Sequence, residues 1–209
     1  SIILSPTREL AVQIGNNIKE FCKYLPNVKV TTVYGGSSME DQIRSLKRGS
    51  QIVVGTPGRT VDLIKRRALK LGNVKWLVLD EADEMLNMGF KDELDKVLEA
   101  TPETKQTLLF SATFPREVEA IARNYMTKPV EITSGEKNAG SENVSHEFYS
   151  VTERTRYPAL KRIADLNPDI YAIIFCRTRR ETQEVADNLI RDGYSADSLH
   201  GDLSQGQRD

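Results

Sequence analysis

The sequence predicts an α/β protein whose parallel sheets are covered by helices, arranged as two consecutive lobes. Three observations carry that prediction. Short apolar runs rich in β-branched residues recur along the chain with little polar alternation, the pattern of strands buried on both faces. Segments with helical spacing of apolar residues lie between them, and this alternation implies parallel strands joined by helical crossovers. One stretch, residues 134–145, is dominated by Ser, Gly, Asn, Glu and Lys, cannot contribute to a core, and reads as a linker between lobes.

Taken in order, Ile2, Ile3 and Leu4 form the first strand. Thr7 stands as an N-cap ahead of Arg8 and Glu9, and Leu10, Ile14, Ile18, Phe21 and Leu25 follow at helical spacing as a buried face. A strand over 28–34 precedes a helix whose start is marked by Ser38 with Asp41 three residues on, and whose inner face carries Ile43 and Leu46. The third strand is 52–54, and Pro57 suits the first turn of the next helix. Strands follow over 76–79 and 107–110, then a helix from Pro115 with Val118, Ile121, Ala122 and Tyr125 on one face. Beyond the linker, alternation resumes: a strand over 146–151, a helix near 160–166, a strand over 171–175, a helix over 181–191 and a last strand near 195–199. The remainder after the linker, about 64 residues, is small for an independent lobe, so the chain reads as a fragment.

Composition excludes several classes. With 39% hydrophobic and 28% charged residues over 209 positions, the chain is neither too polar to collapse nor apolar enough for a bilayer. Its net charge is −1, from 19 basic against 17 acidic residues in 1–134 and 10 against 13 in the remainder, so any polyanion must be held locally. Cys22 and Cys176 stand far apart and without a Cys/His cluster, which argues for two buried free thiols in a reducing cytoplasm. No apolar run approaches the roughly 18 residues of a membrane-spanning helix.

The most informative stretch is Trp76, Leu77, Val78, Leu79, Asp80, Glu81, Ala82 and Asp83. An apolar strand ending in three carboxylates places acids at the carboxyl edge of a parallel sheet, where such folds bind ligands. Two close carboxylates suit a Mg²⁺ shell and a water-orienting base; alternatively, they stabilise the dipole of the following helix. Ser111 and Thr113 follow another strand and can bond Asp83 or cap a helix. Three strand ends offer phosphate-sized turns: Pro6, Thr7 and Arg8; Gly35 and Gly36; and Thr56, Pro57, Gly58 and Arg59. Small residues let backbone N–H groups approach an anion at a helix start, although a plain turn needs Gly and Pro too.

These motifs, in this order and approximate spacing, resemble motifs Ia, GG, Ib, II and III of the DEAD-box ATP-dependent RNA helicases. After the linker, Ile174, Phe175, Cys176, Arg177 and Thr178 resemble motif IV, and Gln205 with Arg208 resembles the Gln-x-x-Arg element. The resemblance implies two RecA-like parallel-sheet lobes, both truncated: an N-terminal lobe over 1–133, a linker over 134–145 and the start of a C-terminal lobe over 146–209. It also implies ATP and Mg²⁺ as cofactors, with Asp80 acting on the metal through water. Glu81 would orient the hydrolytic water, and Asp83 would couple to Ser111 and Thr113. Single-stranded RNA and short duplexes are the implied partners, gripped through the backbone by Thr7, Arg8, Gly36, Thr56, Arg59 and Thr178, with Pro6, Gly35, Pro57 and Gly58 in the same turns and Gln205 and Arg208 of the Gln-x-x-Arg element as further RNA-binding residues.

The chain departs from that family where it matters for chemistry. It contains no Gly-x-x-x-x-Gly-Lys-Ser/Thr loop to cradle ATP phosphates, no adenine-reading Gln segment and no motif V or VI. Truncation at both ends explains this most simply, and the chain alone should then not hydrolyse ATP. Losing the phosphate-loop strand should also weaken the first sheet. Two alternatives remain: an RNA-binding or scaffolding module without a phosphate loop, and a DNA-directed helicase of the wider superfamily.

Overall fold

The computed structural model describes residues 1–134, 144–204 and 207. It divides into two units, Ser1–Gly140 and Ser141–Asp209.

The first unit is one five-stranded parallel sheet with helical connections. Its elements are β1 (Ile2–Leu4), α1 (Arg8–Phe21), β2 (Val30–Val33), α2 (Met39–Lys47), β3 (Ile52–Gly55), α3 (Pro57–Lys65), β4 (Trp76–Leu79), α4 (Ala82–Asn87), α5 (Lys91–Glu99), β5 (Gln106–Leu109) and α6 (Arg116–Tyr125). Strand order is β2-β3-β1-β4-β5, with every pairing parallel. From β1 the chain moves past β3 to β2, and every later step moves the other way. Right-handed crossovers therefore put α1 on one face and α2, α3 and α5 on the other. α3 and α5 do pack together.

Caps mark the starts where the sequence places them. The Thr7 hydroxyl accepts from Leu10 N at 3.2 Å, and that of Ser38 from Asp41 N at 3.3 Å, each satisfying an orphan donor of the first turn. Ile2, Leu4, Leu77 and Leu79 are fully buried between the helical layers, with Leu63, Met85, Leu94 and Val118 in the same core. Val118 and Ile121 are buried on α6 as their spacing predicts.

Three expectations need correction. Phe21 is 80% exposed and Leu25 lies beyond the helix, also exposed. Leu10, Ile14 and Ile18 are half-buried, and the fully buried positions of α1 are Ala11 and Gly15; Gly15 lies against the Thr32 side chain on β2, and a larger residue there would collide with it. The strand expected over 28–34 is only Val30–Val33, since its ends belong to the turns. The cysteines are free but only partly buried.

The second unit contains α7 (Glu153–Leu166) and α8 (Arg179–Arg191). Thr152 and Thr155 form a reciprocal capping box at the start of α7. Polar links join the two helices: Arg156 to Glu181 at 2.7 Å, and Lys161 to Asp192 at 3.3 Å. The expected strands over 146–151, 171–175 and 195–199 form no ladder among the described residues. An apolar run becomes a strand only by hydrogen-bonding a neighbour, and here Phe148, Ile173 and Phe175 stay exposed. Among the described residues, no helix is long and apolar enough to cross a membrane.

Candidate functional site

Register decides where the site residues go. Leu4 pairs with Gly55 and with Leu79; Gly55 pairs with Val33, and Leu79 with Leu109. All five strands therefore end in one row, and the segments that follow them leave from a single rim. Those segments begin at Ser5, Tyr34, Thr56, Asp80 and Phe110. The connections leave β1 toward one face and its neighbours β3 and β4 toward the other, so the rim contains the switch point at which open α/β sheets bind ligands.

On the acidic side, Asp80 is half-buried and its N–H donates to Leu4 O at 2.9 Å. Glu81 is exposed and left-handed, with φ 52° and ψ 53°, a conformation an L-residue adopts only at a cost of roughly 1–2 kcal/mol. This kink lets the chain pass from β4 directly into α4, with Glu81 as N-cap and its carboxylate unused for capping. Asp83 is buried in the first turn of α4, so the helix-dipole reading of the acids holds for it as well. Its Oδ2 accepts from Thr113 N at 2.9 Å and from Thr113 Oγ1 at 2.6 Å, while its own N–H donates to Ser111 Oγ at 3.2 Å. Ser111 Oγ in turn donates to Thr113 O at 2.6 Å. Burial alone would push the Asp83 carboxyl up; the hydrogen bonds from Thr113 and Ser111 and from backbone N–H groups outweigh it and hold the group below its ordinary value. The turn after β5 is thus bolted to α4 through one ionised side chain.

On the other side of the rim lie the small-residue turns. Pro6 is buried, Thr7 half-buried and Arg8 exposed. Gly36, at φ +82°, packs against the Arg8 guanidinium so closely that a Cβ would collide with it, and Gly35 lies beside the same group. Thr56 is buried, with no capping bond from its side chain, and Pro57 opens α3. Gly58 and Arg59 are half-buried, and Arg59 Nη1 donates to Ser37 O at 3.2 Å. The structure therefore brings Thr7, Arg8, Gly35, Gly36, Thr56, Pro57, Gly58 and Arg59 to the row of strand ends that also carries Asp80, Glu81, Ser111 and Thr113. Thr178 belongs to the second unit, where it caps α8 by accepting from Glu181 N at 3.1 Å. Gln205 and Arg208 lie outside the described residues.

The profile of the DEAD/DEAH box helicase family matches residues 1–121. This chain belongs to the DEAD-box helicase family. It is 43% identical over 207 residues to the DEAD-box ATP-dependent RNA helicase CshA of Bacillus cereus, an alignment covering 99% of this chain and 39% of that protein. To the ATP-dependent RNA helicase DeaD of Mycobacterium tuberculosis it is 43% identical over 209 residues, 37% of that protein. Among solved structures it is similar to a DEAD-box protein from the hyperthermophile Methanococcus jannaschii, with TM-score 0.59 and 46% identity over 99% of this chain and 55% of the other. The chain spans about two fifths of the curated relatives it matches.

In this DEAD-box chain, no cluster of three or more acidic, His or Cys side chains among the described residues could cage a metal. Asp80 alone, a hard oxygen donor at the rim, fits the water-mediated shell that Mg²⁺ prefers. Sequence reasoning missed one participant, Gln42, which bonds both Arg59 and the turn after β2. Its signal was a polar residue in the apolar stripe Met39, Ile43 and Leu46 of α2.

Proposed function

We propose that this chain is the part of an ATP-dependent RNA helicase that links RNA gripping to nucleotide hydrolysis. Residues 1–133 supply most of one RecA-like lobe, 134–145 the linker, and 146–209 the start of a second lobe, in a cytoplasmic protein. The single row of strand ends carries this reading, because it sets the acid segment and the small-residue turns on a common rim. The edge of β5, with Leu108 37% exposed, pairs with no further strand among the described residues, and a strand carrying a phosphate loop would extend the sheet there.

Mg²⁺ bound through water at Asp80 would neutralise phosphate charge. Glu81, exposed and free of capping duty, orients the attacking water. Asp83 does not touch substrate in this scheme; it holds the Ser111 and Thr113 turn, so that a change at the nucleotide shifts that turn as a unit. Arg8, Arg59, the Thr56 hydroxyl and the N–H group of Gly36 hold the sugar-phosphate backbone of single-stranded RNA, which needs local rather than net positive charge. Destabilisation of short duplexes follows from closing two lobes on one bent strand. The chain alone, with no phosphate loop in its 209 residues, binds RNA without turning over ATP.

The test is RNA-stimulated ATP hydrolysis by the longer protein that carries the phosphate loop, against Glu81→Gln and against DNA. RNA stimulation lost in Glu81→Gln, with RNA binding kept, is the expected result. RNA binding without stimulated hydrolysis would replace this reading with that of a scaffold, and equal stimulation by DNA with that of a DNA-directed enzyme.

A further inference from the structure

The turn after β2 is closed by a side chain that belongs to none of the motifs above. Gln42, in the second turn of α2, is 7% exposed, and its amide is fully engaged. Its Nε2 donates to Tyr34 O at 3.0 Å and also to Ser37 Oγ, and its Oε1 accepts from Arg59 Nη1 at 3.0 Å. The amide orientation is fixed by chemistry, since a guanidinium only donates and a carbonyl only accepts. Nη1 of Arg59 also donates to Ser37 O at 3.2 Å, so both Arg59 contacts use one nitrogen. A guanidinium has five N–H donors, and Nε and Nη2 keep theirs for an anion.

We propose that Gln42 is a positioning residue for RNA, a neutral clasp that locks the Gly35 and Gly36 turn to the start of α3 and aims Arg59 without quenching its charge. The inference rests on the reading of those turns as RNA-contacting. Neutrality is the essential property. A carboxylate at the same place would keep an acceptor for Arg59 but draw the guanidinium into an ion pair and repel the Tyr34 carbonyl it now holds. An apolar side chain of equal length would leave Arg59 charged but unaimed, and would cost the half-buried Tyr34 carbonyl and Ser37 hydroxyl one hydrogen bond each, leaving only the bond from Ser37 Oγ to Tyr34 O between them.

The experiment measures binding of this 209-residue chain to a fluorescein-labelled oligouridylate by anisotropy across a series of KCl concentrations, with Trp76 fluorescence confirming that each variant is folded. Arg59→Ala should reduce the salt slope by about 0.7, one phosphate contact on a single strand. Gln42→Glu should reproduce that slope change and weaken binding by roughly tenfold, the worth of about one charge-assisted hydrogen bond. Gln42→Met should weaken binding less and should have no further effect in an Arg59→Ala background. Wild-type affinity and slope in Gln42→Glu, or full additivity of Gln42→Met with Arg59→Ala, would overturn the clasp while leaving the RNA reading standing. Absence of RNA binding by the wild-type chain would overturn both. If Gln42→Met does not fold, the isosteric Gln42→Glu, which adds no volume, decides alone.

Discussion

Asp83→Asn isolates the value of the bond between α4 and the turn after β5. In the wild-type chain, Oδ2 takes two hydrogen bonds from Thr113, at 2.9 and 2.6 Å, in a residue only 9% exposed. Bonds to an ionised acceptor contribute about 1.5–3 kcal/mol each and neutral ones about half as much, so the isosteric amide should forfeit roughly 1 kcal/mol per bond. Lost interaction with the α4 dipole adds about 0.5 kcal/mol, for a total near 2–3 kcal/mol at neutral pH. The sign with pH follows from the depressed carboxyl: its stabilisation is present above the unfolded value of 3.8 and disappears as pH falls through the lower folded value. The gap between wild type and Asp83→Asn should therefore close in acid. Urea unfolding followed through Trp76, the only tryptophan, which sits on β4 of the same sheet, measures it at neutral pH and below 3.8. A neutral-pH difference under about 0.5 kcal/mol, the range of ordinary surface changes, or a gap that persists in acid, would refute the reasoning.

Other changes test separate parts of the architecture. Gly55→Ala places a Cβ 2.5 Å from Val33 Cγ2 and 2.9 Å from Val33 O, a backbone atom that cannot step aside; thermal melts should show a loss of about 3 kcal/mol or more. Glu81→Gly relieves the left-handed backbone and should raise the melting temperature, by about 1 kcal/mol of stability, while abolishing RNA-stimulated hydrolysis in the longer protein. Tyr125 donates to Asp95 Oδ1 at 2.9 Å; burial first, then this bond to a carboxylate, pushes its phenol up to about 12. Ultraviolet titration should find that late phenol, and Tyr125→Phe should remove it at a cost of about 1.5 kcal/mol near neutral pH. That cost should shrink in acid, because Asp95 is itself held below 3.8 and loses its stabilising charge there.

Much of the first unit was legible because its signals are local. Strands such as Trp76–Leu79 are short apolar runs, and Thr7 and Ser38 mark helix starts through side-chain oxygens within three residues of their donors. What escaped depends on partners distant in sequence. Gln42 looks like a flaw in an apolar stripe until Arg59 and Tyr34 are seen around it, and Phe21 looks like core until Gly15 is found against Thr32. The left-handed turn at Glu81 has no sequence mark at all, since Gly or Asn would be its usual sign. In the second unit, the run at 171–175 has the composition of a strand, but hydrogen-bonded neighbours make a strand and it has none among the described residues.

Adjacent strands sit about 4.8 Å apart, so the three neighbours β2, β3 and β1 present their turns across only about 10 Å. That width is short against a polynucleotide and spans only a few successive phosphates of one strand. On the proposed reading, the footprint of this unit is a few links of a polymer, whatever the polymer's length or sequence. Lengthening an oligonucleotide beyond that span should multiply the number of places it can be held without tightening any one of them.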